Sequence, residues 1–302
     1  MIDLTPGVTH IVLDSPHSGT FYPDDFRPAC PVPALRQVED THVDGLWSFA
    51  RDQGHAWVGA RFPRTYVDVN RSLADIDLQL LDGPWPDRVD PAGKSRLGKG
   101  LVWRLLDDGT DLYARRLPVQ EVKDRIARCW VPYHTALDAA VASAHQRHGQ
   151  VLHLNCHSMP AVADRWSTDF PGLVHDDFVL GDRDGTTAHP ALTRWIALFL
   201  QGRGYSVSLN HPYKGVEIVR RHGDPRLHRH SIQLEINKRL YMNEQSLALT
   251  PGHERLRSAL KDLLVALSRL DLRRLDERAV ALDPGPSDPP WPATAGASPS
   301  VN

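Results

Sequence analysis

The stretch Val151–Pro160 reads V-L-H-L-N-C-H-S-M-P. Its first four residues are mostly apolar and follow a turn at Gly149, so they predict a short buried strand. Polar residues follow at 155–158, where that strand is predicted to end. Open α/β sheets bind ligands beyond the carboxyl ends of their strands, because side chains converge there in a crevice. The stretch therefore predicts a central strand with a functional site at its end.

A second apolar run also ends in a His-Ser pair. Residues 11–19 read I-V-L-D-S-P-H-S-G and place His17 and Ser18 after their strand. A lone histidine at a strand end is more often structural than functional. Two such strands in one sheet, however, bring two imidazoles to the same edge. The repetition predicts a site at which His17 and His157 converge.

Length and composition exclude several classes of protein. The 302 residues include 35 basic and 37 acidic side chains, a formal net charge of −2 that gives no reason to expect nucleic acid as a partner. Three cysteines without a CxxC pair argue against a disulfide framework and for a reducing compartment. We see no signal peptide and no apolar run near the ~20 residues that span a bilayer. We therefore expect a soluble, cytoplasmic protein with no membrane partner.

Strands alternate with helices along the chain, which is typical of an α/β sheet with helices on both faces. Strands are predicted at 8–13, 56–60, 65–70, 151–154, 178–180, 205–209 and 231–236, and helices at 33–53, 119–148 (kinked or broken at Pro132), 190–202 and 251–270. Residues 73–109 lose this periodicity and are predicted to form an irregular excursion with a short hairpin near 101–105. We expect a single domain over 1–280 and a disordered, proline-rich tail over 281–302.

Reactive side chains occur in five stretches near the predicted strands. In the last of these, Q-L-E-I-N at 233–237, Glu235 lies within an apolar run, and a buried carboxylate is costly unless it is paired or used. Two neutral imidazoles and one carboxylate suit a catalytic zinc ion whose fourth position is left to water. Such a site needs a carboxylate that is not a ligand, to take the proton from the attacking water. Glu235 is the candidate for this base.

An ordered series of motifs resembles the N-formylglutamate amidohydrolase family from about residue 13 to residue 242. The motifs are P-H-S-G, E-D-T-H-V-D, R-T-Y-V-D-V-N-R, P-Y-H, N-C-H-S-M and Q-L-E-I-N-K-R-L-Y-M. That family is similar to the zinc carboxypeptidases and aspartoacylase. The resemblance therefore implies a zinc-exopeptidase-like, three-layer α/β/α fold with a mixed central sheet.

The resemblance also implies an activity, namely metal-dependent hydrolysis of N-formyl-L-glutamate to formate and L-glutamate in histidine degradation. The implied cofactor is Zn²⁺ or another divalent transition metal, and the implied partner is a small molecule with a carboxylate. Carried over by position, His17 and His157 become metal ligands and Glu235 the general base. Arg71, helped by Asn70, holds the substrate's carboxylate, since a guanidinium binds both oxygens in a fork.

The sequence departs from the family's relatives at the carboxylate ligand. The relatives carry a ligating glutamate three residues after the first histidine, where this chain has Thr20. The stretch E-D-T-H-V-D must then supply the ligand, and we favour Asp40, with Glu39 or His42 as alternatives. A second departure is Asn155, where family members often have aspartate. Its amide oxygen can still orient a ligating histidine through the ring N–H.

Some assignments stay open at the level of sequence. Arg64 either binds substrate or pairs with Asp68. Asn210 begins a loop, N-H-P-Y-K-G, that could close over the substrate. Cys156 is better explained as a small buried residue than as a nucleophile, because no base is expected beside it. Alternative functions are hydrolysis of another N-acyl amino acid or small peptide with a free carboxylate, and an inactive relative that only binds a small molecule.

Overall fold

A seven-stranded mixed sheet forms the centre of the molecule in a computed structural model that describes residues 1–163 and 170–275. The strands are β1 (Ile2–Thr5), β2 (Ile11–Ser15), β3 (Ala56–Ala60), β4 (Leu81–Asp82), β5 (Leu117–Pro118), β6 (Val151–Met159), β7 (Phe178–Gly181), β8 (Val207–Leu209) and β9 (Arg229–Asn237). Their order in the main sheet is β1-β3-β2-β6-β9-β7-β8, and β4 pairs with β5 separately. The pairs β1–β3 and β7–β9 are antiparallel and the others parallel, which confirms the predicted mixed sheet.

Helices cover both faces of this sheet. They are α1 (Val32–Gln37), α2 (Val43–Leu46), α3 (Gly93–Arg96), α4 (Val119–Arg125), α5 (Val131–His148), α6 (Pro190–Gln201), α7 (Glu217–His222) and α8 (Gly252–Leu267). Successive residues of β2 point to opposite faces, since side chains alternate along a strand. Ile11 and Leu13 join the core under α6 and α8, whereas Val12 joins the core under α5. The result is the predicted three-layer α/β/α arrangement.

The central strand β6 is longer than predicted. It pairs with β9 along its whole length, from Val151 opposite Arg229 to Met159 opposite Asn237. The polar residues 155–158 therefore lie inside the strand, and the prediction that the strand ends before them was wrong. Hydrogen bonds between β6 and β9 pair the backbone groups of residues 155–158, while the side chains of these residues still reach the edge of the sheet.

The predicted helix over 33–53 was wrong, because the segment divides into α1, α2 and a 3₁₀ turn at Ser48–Ala50. Between α1 and α2, the backbone N–H of Asp40 donates to the carbonyl of His17 at 3.1 Å. His42 then adopts a left-handed conformation with φ of 68°. This anchor to the end of β2 interrupts the helix, although the apolar side chains on either side keep helical spacing.

The predicted strand over 65–70 was also wrong. The segment forms turns, in which the backbone N–H of Asn70 donates to Oδ1 of Asp68 at 2.9 Å. Local bonds of this kind compete with a strand ladder. The alternation that suggested a strand reflects the burial of Val67 and Val69 in the core under α5.

Most of the excursion 73–109 is irregular, although it contains a 3₁₀ turn at Leu78–Leu80, the strand β4 and the short helix α3. It packs through buried residues such as Leu101 and Trp103. The predicted hairpin is reduced to isolated bridges at Lys99–Trp103 and Leu105–Asp111.

In the long helix 119–148, a π-helical turn at Ile126–Trp130 precedes Pro132 and joins α4 to α5. The tail 281–302 lies outside the described residues. No helix in the described part of the chain is long and apolar enough to cross a membrane.

Candidate active site

His17, Asp40 and His157 converge in the described structure, with one potential ligand atom from each residue within 4.8 Å of the others. Nδ1 of His157 lies 2.9 Å from Oδ2 of Asp40, and Nδ1 of His17 lies 3.4 Å from the same oxygen. All three side chains are buried. We refer to them as the triad.

The topology of the sheet explains this convergence. β2 and β6 are parallel neighbours, so His17, just beyond the end of β2, comes close to His157 near the end of β6. The bond from the Asp40 backbone to the His17 carbonyl brings the carboxylate to the two rings. Two strands and the break between α1 and α2 thus each contribute one member.

Hydrogen bonds hold both imidazole rings in orientation. Nε2 of His17 lies 2.8 Å from Oδ1 of Asp68, and Nε2 of His157 lies 2.8 Å from Oδ1 of Asn155. A neutral ring that donates its Nε2–H to these oxygens keeps the lone pair of Nδ1, the atom that faces Asp40, available to a metal ion. The predicted orienting contact from Asn155 to His157 is therefore present.

The triad fits a divalent cation. Nδ1 of His17 is buried without a hydrogen-bond partner among the described residues, and a buried polar atom left unpaired costs about 1–3 kcal/mol. A cation would satisfy it. Two neutral imidazole nitrogens and one carboxylate oxygen are also the donor set of many catalytic zinc sites, which keep one position open.

Electrostatics keep Asp40 ionised. Burial opposes ionisation, but the contacts with His157 and His17, whose imidazoles are positively charged when protonated, outweigh it and hold the pKa of that carboxyl well below its usual range. The pKa of Asp68 is likewise held well below its usual range. There the positive charges of His17 and Arg64 outweigh the burial. Both carboxylates are therefore charged at neutral pH, which favours cation binding.

Glu235 lies opposite His157 in the register between β9 and β6. Burial, assisted by the negative charge of Asp40, raises the pKa of Glu235 to about 7. Nε2 of Gln233 donates to Oε1 of Glu235 at 2.8 Å. A buried carboxyl that titrates near neutrality and is not part of the triad has the properties of a general base.

These groups line a cavity of about 370 Å³. Arg71 lies on its wall and is 9% exposed; its Nε donates to the carbonyl of Lys99 at 3.3 Å. Its two terminal nitrogens make no hydrogen bond to the described residues. Nδ2 of Asn70 lies 3.2 Å from Nε2 of His157. The free fork of Arg71 is thus available to a carboxylate within the same cavity as the triad.

Arg64 pairs with Asp68, which is one of the two alternatives left open by the sequence. Its Nη2 lies 3.1 Å from Oδ2 of Asp68, and its Nη1 lies 3.7 Å from Oδ1 of Asp40. Its guanidinium stacks over the ring of Trp103 at 4.9 Å. It also lines the cavity. Pairing with Asp68 therefore does not remove it from reach of a ligand.

Three other predicted site residues are directed elsewhere. Glu39 is buried and bonds Tyr22 and Arg36, both at 2.6 Å. Nε2 of His42 lies 2.8 Å from the carbonyl of Leu247. The structure does not bring Asn210 to the cavity, since its Nδ2 donates to Asp182 at 2.7 Å.

Sequence reasoning missed three polar side chains that act around the triad. Asp68 was considered only as a partner of Arg64, although it also holds the ring of His17. Asp14, inside the apolar run of β2, accepts both contacts of the Asn155 amide at 2.9 and 3.1 Å. Lys238, just after β9, lines the cavity. The only available signal was the one used for Glu235, a charged residue within or beside an apolar strand.

Comparison with known proteins agrees with this geometry. Residues 9–242 match the model of the family described as N-formylglutamate amidohydrolase. The chain belongs to this family. An N-formylglutamate deformylase from Pseudomonas aeruginosa is 31% identical over 80% of this chain and 85% of its own length. One from Pseudomonas putida is 30% identical over 78% of this chain and 82% of its own length.

A solved structure of the N-formylglutamate amidohydrolase family resembles the whole fold. The N-formylglutamate amidohydrolase from Ralstonia eutropha JMP134 superposes with a TM-score of 0.85 and 43% sequence identity. The match covers 90% of this chain and 98% of that one. The similarity therefore includes the sheet and the elements that position the triad.

Proposed function

We propose that this protein hydrolyses the formyl amide of N-formyl-L-glutamate and releases formate and L-glutamate. The observation that carries the proposal is the convergence of the triad, Glu235 and Arg71 on one cavity, where Nε of Arg71 contacts Lys99 and Asp75 and its terminal nitrogens form no hydrogen bond to the described residues. Family membership and the names of its relatives support the same activity. We further propose a place in histidine degradation, which the sequence resemblance implies, and in the cytoplasm, which the cysteine content of the sequence favours.

We propose that His17, Asp40 and His157 hold a zinc ion or a similar divalent transition metal. When bound, such an ion polarises a carbonyl and lowers the pKa of water towards about 7. The orienting bonds from Asp68 and Asn155 support this assignment, because ligating histidines regularly donate their second ring N–H to an oxygen.

Glu235 is the general base in this proposal. Its carboxylate takes a proton from the water that attacks the formyl carbon and then delivers that proton to the amide nitrogen. The C–N bond breaks, and the amine leaves as L-glutamate while the added oxygen remains in formate. Burial raises the pKa of Glu235 to about 7 in the absence of metal, which brings the carboxyl close to the range where a group can both accept and release a proton at neutral pH.

Arginine side chains hold the substrate and the developing charge. We assign the substrate's α-carboxylate to Arg71, whose terminal nitrogens are free and whose neighbour Asn70 lies beside His157. Arg64 stands next to Asp40 and is placed to stabilise negative charge on the formyl oxygen. Its ion pair with Asp68 fixes its orientation before the substrate arrives.

The test is formate release from N-formyl-L-glutamate by purified protein, measured together with its metal content. We expect about one divalent ion per chain and activity that a chelator removes and added zinc restores. If the protein binds metal but releases no formate, its assignment as a metal-dependent hydrolase is kept and N-formyl-L-glutamate is excluded as its substrate. A panel of N-acyl amino acids would then be assayed. Absence of both metal and activity would refute the assignment of the triad and favour a protein that only binds a small molecule.

A further inference from the structure

Lys238 places a buried ammonium group on the wall of the active-site cavity. Its side chain is 7% exposed, and its Nζ donates to the backbone carbonyl of Glu39 at 2.8 Å. Among the described residues, no carboxylate forms an ion pair with it. A buried charge without a counter-ion is costly, so a counter-charge from a ligand would stabilise it.

Lys238 and Arg71 both line the cavity that contains the triad. Lys238 bonds the carbonyl of Glu39, the residue directly before Asp40. Arg71 directly follows Asn70, whose amide lies 3.2 Å from the ring of His157. The two cations therefore belong to different segments of the chain, and a ligand in this cavity meets two separate buried cations.

We propose that Lys238 binds the side-chain carboxylate of the substrate while Arg71 binds its α-carboxylate. The inference rests on the proposed function and specifies its substrate class, namely N-acyl amino acids that carry two carboxylates. In N-formylglutamate these groups differ in their distance from the scissile bond by two methylenes. Two separate cations that line one cavity match two separate carboxylates better than a single arginine does.

Lys94 is the competing candidate. It also lines the cavity and forms no ion pair with the described residues. The residue as a whole is exposed, but burial of its ammonium group lowers the pKa of Lys94, as it lowers that of Lys238. Lys238 differs in that its Nζ is fixed in the cavity wall by the hydrogen bond to the Glu39 carbonyl.

The experiment compares two substrates of almost equal shape, N-formyl-L-glutamate and N-formyl-L-glutamine, in the metal-loaded wild type and in Lys238→Gln. Glutamine at this position keeps a donor for the Glu39 carbonyl and removes the positive charge. We expect kcat/KM for N-formyl-L-glutamate to fall about 10- to 100-fold, because a charge-assisted bond is lost. For N-formyl-L-glutamine we expect a change below about threefold. If its turnover is too slow to measure, its Ki as a competitive inhibitor serves instead.

An equal loss on both substrates would overturn the inference and assign Lys238 a structural role in holding the loop at Glu39. A selective loss in Lys94→Gln, with none in Lys238→Gln, would move the subsite to the other wall and also overturn it. Should Lys238→Gln fail to fold, Lys238→Met is assayed with the same substrate pair. If the wild type releases no formate from N-formyl-L-glutamate, the proposed function itself fails, and this inference fails with it.

Discussion

The amide oxygen of Asn155 accepts a hydrogen bond from Nε2 of His157 at 2.8 Å. The amide nitrogen of Asn155 in turn donates to both oxygens of Asp14, at 2.9 and 3.1 Å. An aspartate at position 155 would place its negative charge directly beside the ring of His157. In this chain the charge lies on Asp14, and the amide of Asn155 stands between that carboxylate and the ring. His153 and Tyr133 also bond Asp14, so this carboxylate is fixed from several directions.

This relationship predicts that Asn155→Asp is harmful here. Two fully buried carboxylates would then face each other, and Asp14 would lose the donor that satisfies it. We expect the free energy of unfolding to fall by about 3 kcal/mol. Urea unfolding of the chelator-treated protein measures this change without a contribution from bound metal.

The matched control exchanges the two residues. Asp14→Asn combined with Asn155→Asp restores one carboxylate and one amide in contact, so we expect about half of the lost stability to return. If the double variant were as unstable as the sum of the two single variants, the contact between residues 14 and 155 would not be the cause.

Asp40 and Glu39 offer a direct test of which carboxylate binds metal. Asp40→Asn removes the carboxylate that both histidines contact, so we expect metal affinity to fall at least about 100-fold. Glu39→Gln should retain the metal, since Glu39 bonds Tyr22 and Arg36 instead. Competition with a chromogenic chelator measures both affinities. Loss of affinity in Glu39→Gln alone would reverse the assignment.

The sequence was sufficient to predict the α/β fold and the meeting of His17 with His157. The fold was predicted from strands that alternate with helices. The meeting of the two histidines was predicted from two apolar runs that end in His-Ser, and the parallel pairing of β2 with β6 brings them together. The preference for Asp40 as the carboxylate ligand came from the resemblance to the family. Spacing within residues 39–44 cannot by itself distinguish Asp40 from the neighbouring Glu39. In the structure, the bond from the Asp40 backbone to His17 makes that distinction.

Other features depend on tertiary contacts that local patterns do not contain. Residues 65–70 alternate like a strand, yet bonds to the side chain of Asp68 fold them into turns. Lys238 has the sequence context of an ordinary surface lysine, because lysines are mostly exposed. Only the packing of the segment after β9 against Glu39 shows that it is buried. Sequence periodicity reports burial and spacing, and it carries little information about such long-range bonds.

Glu235→Gln is expected to lower kcat by about 10²- to 10⁴-fold, because glutamine cannot accept a proton. Metal content should stay unchanged, since Glu235 is not a member of the triad. Glu244→Gln provides the comparison, because Glu244 lines the same cavity and bonds the backbone N–H of Ala161 at 3.0 Å. Equal losses in both variants would indicate a general effect of charge in the cavity, and the assignment of the base to Glu235 would be withdrawn.

The raised pKa of Glu235 predicts how activity depends on pH. Glu235 accepts a proton only when it is ionised, so kcat/KM should fall as pH decreases through its pKa. Without metal, burial and Asp40 raise this pKa from 4.5 to about 7. A cation held by the triad stabilises the Glu235 carboxylate and lowers its pKa. The acidic limb of the pH profile, where kcat/KM falls with decreasing pH, should therefore be centred between pH 4.5 and about pH 7. Assays of the zinc-loaded enzyme from about pH 5 to about pH 9 measure the limb. The residual activity of Glu235→Gln should lack it, and a limb that persisted unchanged in that variant would belong to a different group.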